Sequence, residues 1–183
     1  MTAKTKKILK YIACGLIAIV AIILVAATLQ PDTFRYERST EIAASPAAIF
    51  PHVNTLKKWE AWSPWAKLDP YAKTTYAGSA SGKGAAMSWD GDRNVGAGTM
   101  TIIDSKPAKS VTFKLDFERP MTLTQNAEFT FTPQKGKTLV TWSMYGDNTF
   151  MGKIMGVVFD CEKMVGEQFD KGLTDLKAIV ERK

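Results

Sequence analysis

The chain has 183 residues, 45% of them hydrophobic and 23% charged, with a net charge of +6 from 24 Lys and Arg against 18 Asp and Glu. These values exclude a disordered or collagen-like polymer and suit one ordinary domain with a small addition. The excess charge is local: Lys4, Lys6, Lys7 and Lys10 stand in the first ten residues, and without them 20 basic residues face 18 acidic ones. No basic stripe with interleaved aromatics follows, so nucleic acid is not an expected partner.

From Tyr11 to Leu29 the chain reads YIACGLIAIVAIILVAATL, with no charge between Lys10 and Asp32. As a helix this segment rises about 28 Å, close to the roughly 30 Å of a bilayer's hydrocarbon core. The expected organisation is a basic cytoplasmic flank at 1–10, a membrane span at 11–29, a linker at 30–33 and a folded domain at 34–183. Lysines ahead of the span put the N-terminus in the cytoplasm and the domain on the outer side of a cell membrane, periplasmic or extracellular. An uncleaved single-pass anchor and a cleaved signal peptide both fit. The length favours the anchor, while Val25-Ala26-Ala27 offers a small-residue cleavage site. Cys14 reads as a small apolar residue in the bilayer, which leaves Cys161 without an internal disulfide partner, so the domain must rely on its core.

After Pro31-Asp32, the residues Phe34, Tyr36, Thr40 and Ile42 alternate with Arg35, Glu37, Ser39 and Glu41, the period of a strand. Ser45-Pro46 then supplies an N-cap and a proline at the first helical position, so a short helix starts over Pro46 to Val53. Pro51 is expected to interrupt or kink it, and Asn54 to cap a second short helix through Trp59. From Thr74 to Tyr145 the chain predicts an antiparallel meander of about six strands. Its turns fall at Gly82-Lys83-Gly84, Asp90-Gly91, Lys106-Pro107, Arg119-Pro120 and Pro133 to Gly136. Val111, Phe113, Leu115 and Phe117 form one inward face, Leu123, Gln125, Ala127, Phe129 and Phe131 the next, and Val140, Trp142 and Met144 the last. A sheet with one wet face needs a cover on the other. Ile154, Met155, Val158, Cys161, Val165, Phe169, Leu173, Leu176 and Val180 recur at spacings of three and four, predicting one long amphipathic helix from Gly152 to about Val180 as that cover. The fold class is therefore α+β, with helices gathered on one face of an antiparallel sheet.

This order of elements, with Ser45-Pro-Ala-Ala-Ile-Phe and the run Trp59-Glu-Ala-Trp62-Ser-Pro-Trp65, resembles the START-like superfamily, also called SRPBCC or helix-grip, in its bacterial polyketide cyclase/dehydrase-like branch. The resemblance spans residues 34 to 181. It implies a curved antiparallel sheet of six or seven strands gripping the long C-terminal helix. It also implies an apolar cavity between them for a lipid, sterol, polyketide or other hydrophobic small molecule. Members of the superfamily include carriers, cyclases and protein-binding modules, and an N-terminal membrane segment is not part of the pattern.

The sequence holds few residues that could form a catalytic set. The single histidine, His52, has no evident triad partners and reads as a surface or half-buried imidazole. No His/Cys cluster has zinc spacing, Asp90-Gly91-Asp92 lacks the further ligands of a calcium loop, and the glycine pairs Gly82/Gly84 and Gly96/Gly98 match no nucleotide-binding fingerprint. No metal or other cofactor is expected. The aromatic residues are the positive signal. Trp59, Trp62 and Trp65 crowd seven positions, where they either wall a ligand cavity or plug the end of the core, or else rest on the membrane interface. Met87, Trp89, Phe113, Phe117, Phe129 and Trp142 lie on inward strand faces, and Val158, Cys161, Val165 and Phe169 on the helix stripe, where core packing and cavity lining would use the same side chains. Glu162 is an acid/base candidate if it points inward; otherwise it meets solvent or a lysine such as Lys163 or Lys58.

Three functions are compatible with this reading. The favoured one is a non-catalytic, membrane-tethered domain that binds a hydrophobic small molecule or lipid. The second is a cyclase, dehydrase or isomerase, which would need Asp116, Glu162, Tyr76 or Tyr145 to face a common cavity. The third is a protein-interaction module of the cell envelope with a filled interior and an exposed apolar patch. No oligomeric state follows from the sequence.

Overall fold

The computed structural model describes residues 3–182; Met1 and Thr2 of the expected flank and Lys183 at the end of the expected domain lie outside the described residues. The chain divides into two compact units, residues 1–34 with 147–161, and residues 35–146 with 162–183.

In the first unit, α1 (Ala3–Thr28) runs as one helix through the apolar segment. It is long and apolar enough to cross a membrane by length and composition, a test that a signal sequence also meets, and none of its most apolar stretch is buried by the described residues. The unit also holds α4 (Phe150–Val158), capped by Thr149, whose hydroxyl accepts from the Gly152 N–H. The spacing of apolar residues predicted one helix from Gly152 onward, but the chain breaks instead at Phe159, which is extended at φ −126° and ψ 145°. Val157, Val158 and Phe159 are consecutive poor helix formers, and the apolar spacing runs through them unchanged, so periodicity alone hides the break.

The second unit is built on a seven-stranded antiparallel sheet in which the first strand pairs with the last, and the remaining strands follow in reverse chain order down to the second at the far edge. Its strands are β1 (Thr33–Ile42), β2 (Lys73–Gly78), β3 (Ala85–Asp90), β4 (Ala97–Lys106), β5 (Ser110–Arg119), β6 (Leu123–Gln134) and β7 (Lys137–Asp147). Five hairpins join β2 through β7 as the turn residues predict, with registers such as Phe113 opposite Ala127 and Phe129 opposite Trp142. One face is apolar and covered by α2 (Pro46–Asn54), a 3-10 turn (Leu56–Ala61), α3 (Pro64–Leu68) and the long α5 (Cys161–Glu181). The helix-grip arrangement expected from the resemblance is thus the observed α+β fold.

Local chemistry fixes these helices. Ser45 caps α2 by accepting from the Ala48 N–H, and α2 then continues through Pro51. The proline removes one hydrogen bond from a nine-residue helix whose Ile49 and Val53 are fully buried, and that burial outweighs the loss. Asn54 does not cap the next turn. It ends α2, its side-chain oxygen accepts from the Ser105 hydroxyl, and its carbonyl accepts from the Gly82 N–H, tying the helix to the β2–β3 and β4–β5 regions. A third short helix, α3, repeats the Ser-Pro start at Ser63-Pro64. On α5, Gly172 lets Trp142 and Pro64 come so close that an added Cβ would stand 2.7 Å from the indole. The helix is held at its far end by Glu181, which accepts from the Ala43 N–H at 2.6 Å.

Candidate functional site

Aromatic rings fill most of the space between sheet and helices. Trp59 is their hub, with ring centroids 4.5 Å from Trp62, 5.4 Å from Phe113, 5.7 Å from Trp142 and 5.8 Å from Phe129. Its indole N–H donates to the Val53 carbonyl at 2.9 Å, and that of Trp62 donates to the His52 carbonyl at 3.2 Å. Both carbonyls belong to the last turn of α2, which has no helical partners for them, so the two indoles serve as its C-terminal cap. Trp142 lies nearly parallel to Phe169, 4.2 Å away, and stacks on Phe129 from 4.7 Å.

Beyond this packed block an unfilled cavity of about 170 Å³ remains. Its walls include the rings of Trp59, Trp65, Trp89, Phe117, Trp142 and Phe169, with Met87, Met100, Leu115, Ala127 and Met144 from the strands, Ala66 from α3, and Ala72 and Val95 from the loops. Gly98 makes room for the Trp89 ring, since a Cβ there would stand 2.8 Å from it, and the Trp89 indole N–H donates to the Val95 carbonyl. Polar lining comes from Glu60, Ser63, Thr74 and Tyr76. The Tyr76 hydroxyl donates to Glu60 Oε1 at 2.6 Å, and Lys57 Nζ lies 5.7 Å from the Tyr76 ring centroid. Burial, followed by the hydrogen bond to Glu60 and its charge, pushes the Tyr76 phenol well above its usual range, so it remains a neutral donor at physiological pH.

Of the residues singled out from sequence, Trp59, Trp65, Met87, Trp89, Phe117, Trp142 and Phe169 meet around this cavity. Trp62, Phe113 and Phe129 are fully buried in the packed block and line none of it. Val165 packs at the edge of the core. Val158 and Cys161 belong to the other unit, Val158 half-exposed on α4, and neither lines the cavity. Their place on an apparently continuous stripe had put them inside, and the break at Phe159 removes that inference. Burial and then the charge of Asp160 push the Cys161 thiol up, away from reactivity.

Among the four titratable groups expected for catalysis, Tyr76 alone reaches the cavity. Asp116 accepts from the Thr124 hydroxyl and pairs with Lys114, and these contacts, the hydroxyl first, hold its carboxyl below the usual range. Glu162 is exposed and faces Arg38 at 3.7 Å, and Tyr145 lies under the Arg35 guanidinium at 5.2 Å. His52 lies outside the lining, its imidazole pushed below the usual value by burial and then by the charge of Lys58. Among the described residues, no group of three or more His, Cys, Asp or Glu could hold a metal ion. Sequence reasoning missed Glu60 as a cavity residue. Thr74, Leu115 and Met144 were in principle legible, because each stands two positions from a lining residue on the same strand face.

Residues 33–181 match the family described as polyketide cyclase / dehydrase and lipid transport. Comparison with curated proteins gives no match. Among solved structures, the chain is similar to protein CV1439 from Chromobacterium violaceum, with TM-score 0.58 and 14% identity over 84% of this chain and 100% of that one. It is similar to the di-domain ARO/CYC BexL from the BE-7585A biosynthetic pathway, with TM-score 0.61 and 11% identity over 99% of this chain and 61% of that one. A third is the Aha1 dimer from Colwellia psychrerythraea, with TM-score 0.55 and 16% identity over 81% of this chain and 96% of that one. At these identities the likeness is one of fold.

Proposed function

From the premise that the chain belongs to the polyketide cyclase/dehydrase and lipid-transport family, we propose that it is a membrane-anchored binding domain without catalytic activity. It holds a small apolar molecule, or the apolar end of an amphipathic one, against the Trp59, Trp65, Trp89 and Trp142 rings. The observation that carries this reading is the cavity itself, about 170 Å³ walled almost wholly by apolar side chains, with the Tyr76–Glu60 pair as its main polar feature. An apolar cavity of about 150 Å³ stays dry and takes up benzene, so the space as it stands suits a single ring or a short alkyl segment. The α1 helix anchors the domain, with the lysine-rich end in the cytoplasm and the cavity on the outer side.

Mass spectrometry of solvent extracts from the purified chain, with thermal denaturation in the presence of single-ring and short-chain apolar probes, tests this proposal. A recovered apolar molecule or a saturable rise in Tm supports it; neither result, across the panel, sinks it. The Tyr76–Glu60 pair supports a second reading, proton-transfer catalysis of cyclase or dehydrase type, in which the neutral phenol donates and the carboxylate accepts. Turnover of an apolar carbonyl substrate that disappears in both Tyr76→Phe and Glu60→Gln would favour it. An interaction module with a filled interior is less well supported, because the interior is not filled.

A further inference from the structure

The helix α4 carries apolar side chains that the described residues leave half-exposed. Met151, Met155 and Val158 recur at spacings of four and three on one face and are 50%, 38% and 50% exposed, and Phe150 and Phe159 at its two ends are similarly exposed. None of the helix's residues is buried, and its one charged residue, Lys153, points away from that face. A contiguous apolar strip of this kind on a domain in water normally marks a contact surface.

Its position in the first unit identifies the contact. The α4 helix packs against α1, whose described residues lose exposure only at Ile23, Ala26 and Ala27, in the last turns of the apolar segment. The start of α4 is pinned to the residues that follow α1. The Asn148 N–H donates to the Asp32 carbonyl at 2.8 Å, the Asn148 side-chain amide donates to the Pro31 carbonyl at 3.1 Å, and Lys153 Nζ meets Asp32 Oδ1 at 2.5 Å. The apolar strip is therefore held at the level where α1 leaves the hydrocarbon, beside the charged groups that mark that boundary.

We propose that α4 is an in-plane interfacial helix. Its Met151, Met155 and Val158 face sits among the headgroup and upper acyl regions of the leaflet from which α1 emerges, while the Asp32–Lys153 pair stays at the water side. The occupant of the strip is the lipid bilayer, and its role is to fix the unit against the membrane surface. This inference rests on the reading of α1 as a membrane span.

The experiment uses the full chain in vesicles of phosphatidylcholine and phosphatidylglycerol, with Cys14→Ser and Cys161→Ser as background and single bimane-labelled cysteines. The positions are Met155→Cys and Val158→Cys on the strip, Gly156→Cys on another face where an added Cβ meets nothing within 4 Å, and Ala18→Cys within α1. Phosphatidylcholines brominated at shallow or deep acyl positions serve as quenchers, and circular dichroism checks each variant. We expect the labels at 155 and 158 to be quenched about twofold more by shallow than by deep bromine, the label at 156 to be quenched weakly, and the label at 18 to respond most to deep bromine. Deep quenching at 18 without quenching at either strip position would overturn the interfacial helix and leave the anchor standing. Absence of quenching at 18 as well would overturn both. Labels at 155 and 158 shielded from lipid bromine and from aqueous iodide alike would show a protein surface on the strip, and would also overturn the proposal.

Discussion

Replacing Gly172 by alanine should be costly despite favouring the helix, and the structure says by how much. The added Cβ would stand 2.7 Å from the Trp142 ring and 3.1 Å from Pro64 Cδ. Neither can retreat freely, because Trp142 is sandwiched between Phe129 at 4.7 Å and Phe169 at 4.2 Å, and Pro64 is rigid and buried at the start of α3. Overpacking of this kind costs about 1–3 kcal/mol, against roughly 1 kcal/mol regained from removing a glycine inside a helix. A contact of 2.7 Å against a sandwiched ring puts the overpacking at about 2–3 kcal/mol, the upper part of that range, so the net effect is a loss of about 1–2 kcal/mol, or a fall in Tm of about 2–8 °C for a protein of this size. Any relief must come from Trp142 moving toward the cavity it lines, so affinity for an apolar probe should fall together with stability. Gly166→Ala provides the control, since its Cβ would meet the Arg38 guanidinium, a flexible and part-exposed group that can move aside, and that variant should be within about 1 kcal/mol of wild type. Thermal denaturation followed by circular dichroism and probe titration would measure both. If Gly172→Ala equals or exceeds the wild type in stability and binds the probe unchanged, the account of α5 packed on a rigid Trp142 is wrong.

Other substitutions perturb single contacts. Trp59→Phe leaves the Val53 carbonyl without its indole partner and a void in the ring cluster, and should cost about 2 kcal/mol in urea unfolding. The raised Tyr76 phenol gives stability that is complete below its unfolded value near 10 and is lost as pH climbs toward the higher folded value. The fall in Tm above pH of about 10 should therefore be steeper in the wild type than in Tyr76→Phe. His52 works in the opposite direction, because its folded value is depressed: stability is complete above an unfolded value near 6.5 and declines as pH falls below it, a decline that His52→Gln should remove.

Much of the architecture was legible because alternating strands announce their inward faces directly. Val111, Phe113, Ala127, Phe129, Val140 and Trp142 are all buried where period-2 reading placed them. The break between α4 and α5 was hidden for the converse reason: Met155, Val158, Cys161 and Val165 keep helical spacing across an extended Phe159, and spacing carries no information about whether the helix persists. The three clustered tryptophans show the limit for the site. Trp62 is fully buried in the block while Trp65, three residues on, is half-buried and lines the cavity. Their difference follows from α3 starting at Pro64, a tertiary placement that identical residue types at similar spacing do not encode. Glu60 lines the cavity and accepts from the Tyr76 hydroxyl, a partner 16 positions away that local spacing does not announce.

The most direct test of the binding account uses the tryptophans themselves. Four of the five, Trp59, Trp65, Trp89 and Trp142, border the cavity, so a brominated single-ring aromatic such as bromobenzene should quench indole emission strongly and saturably. Ala72→Phe, which fills the cavity from a half-buried loop position, should abolish the saturable part and leave the far-UV spectrum intact. Quenching that rises linearly without saturation in the wild type, and is unchanged in Ala72→Phe, would contradict the claim that this cavity takes an apolar ligand.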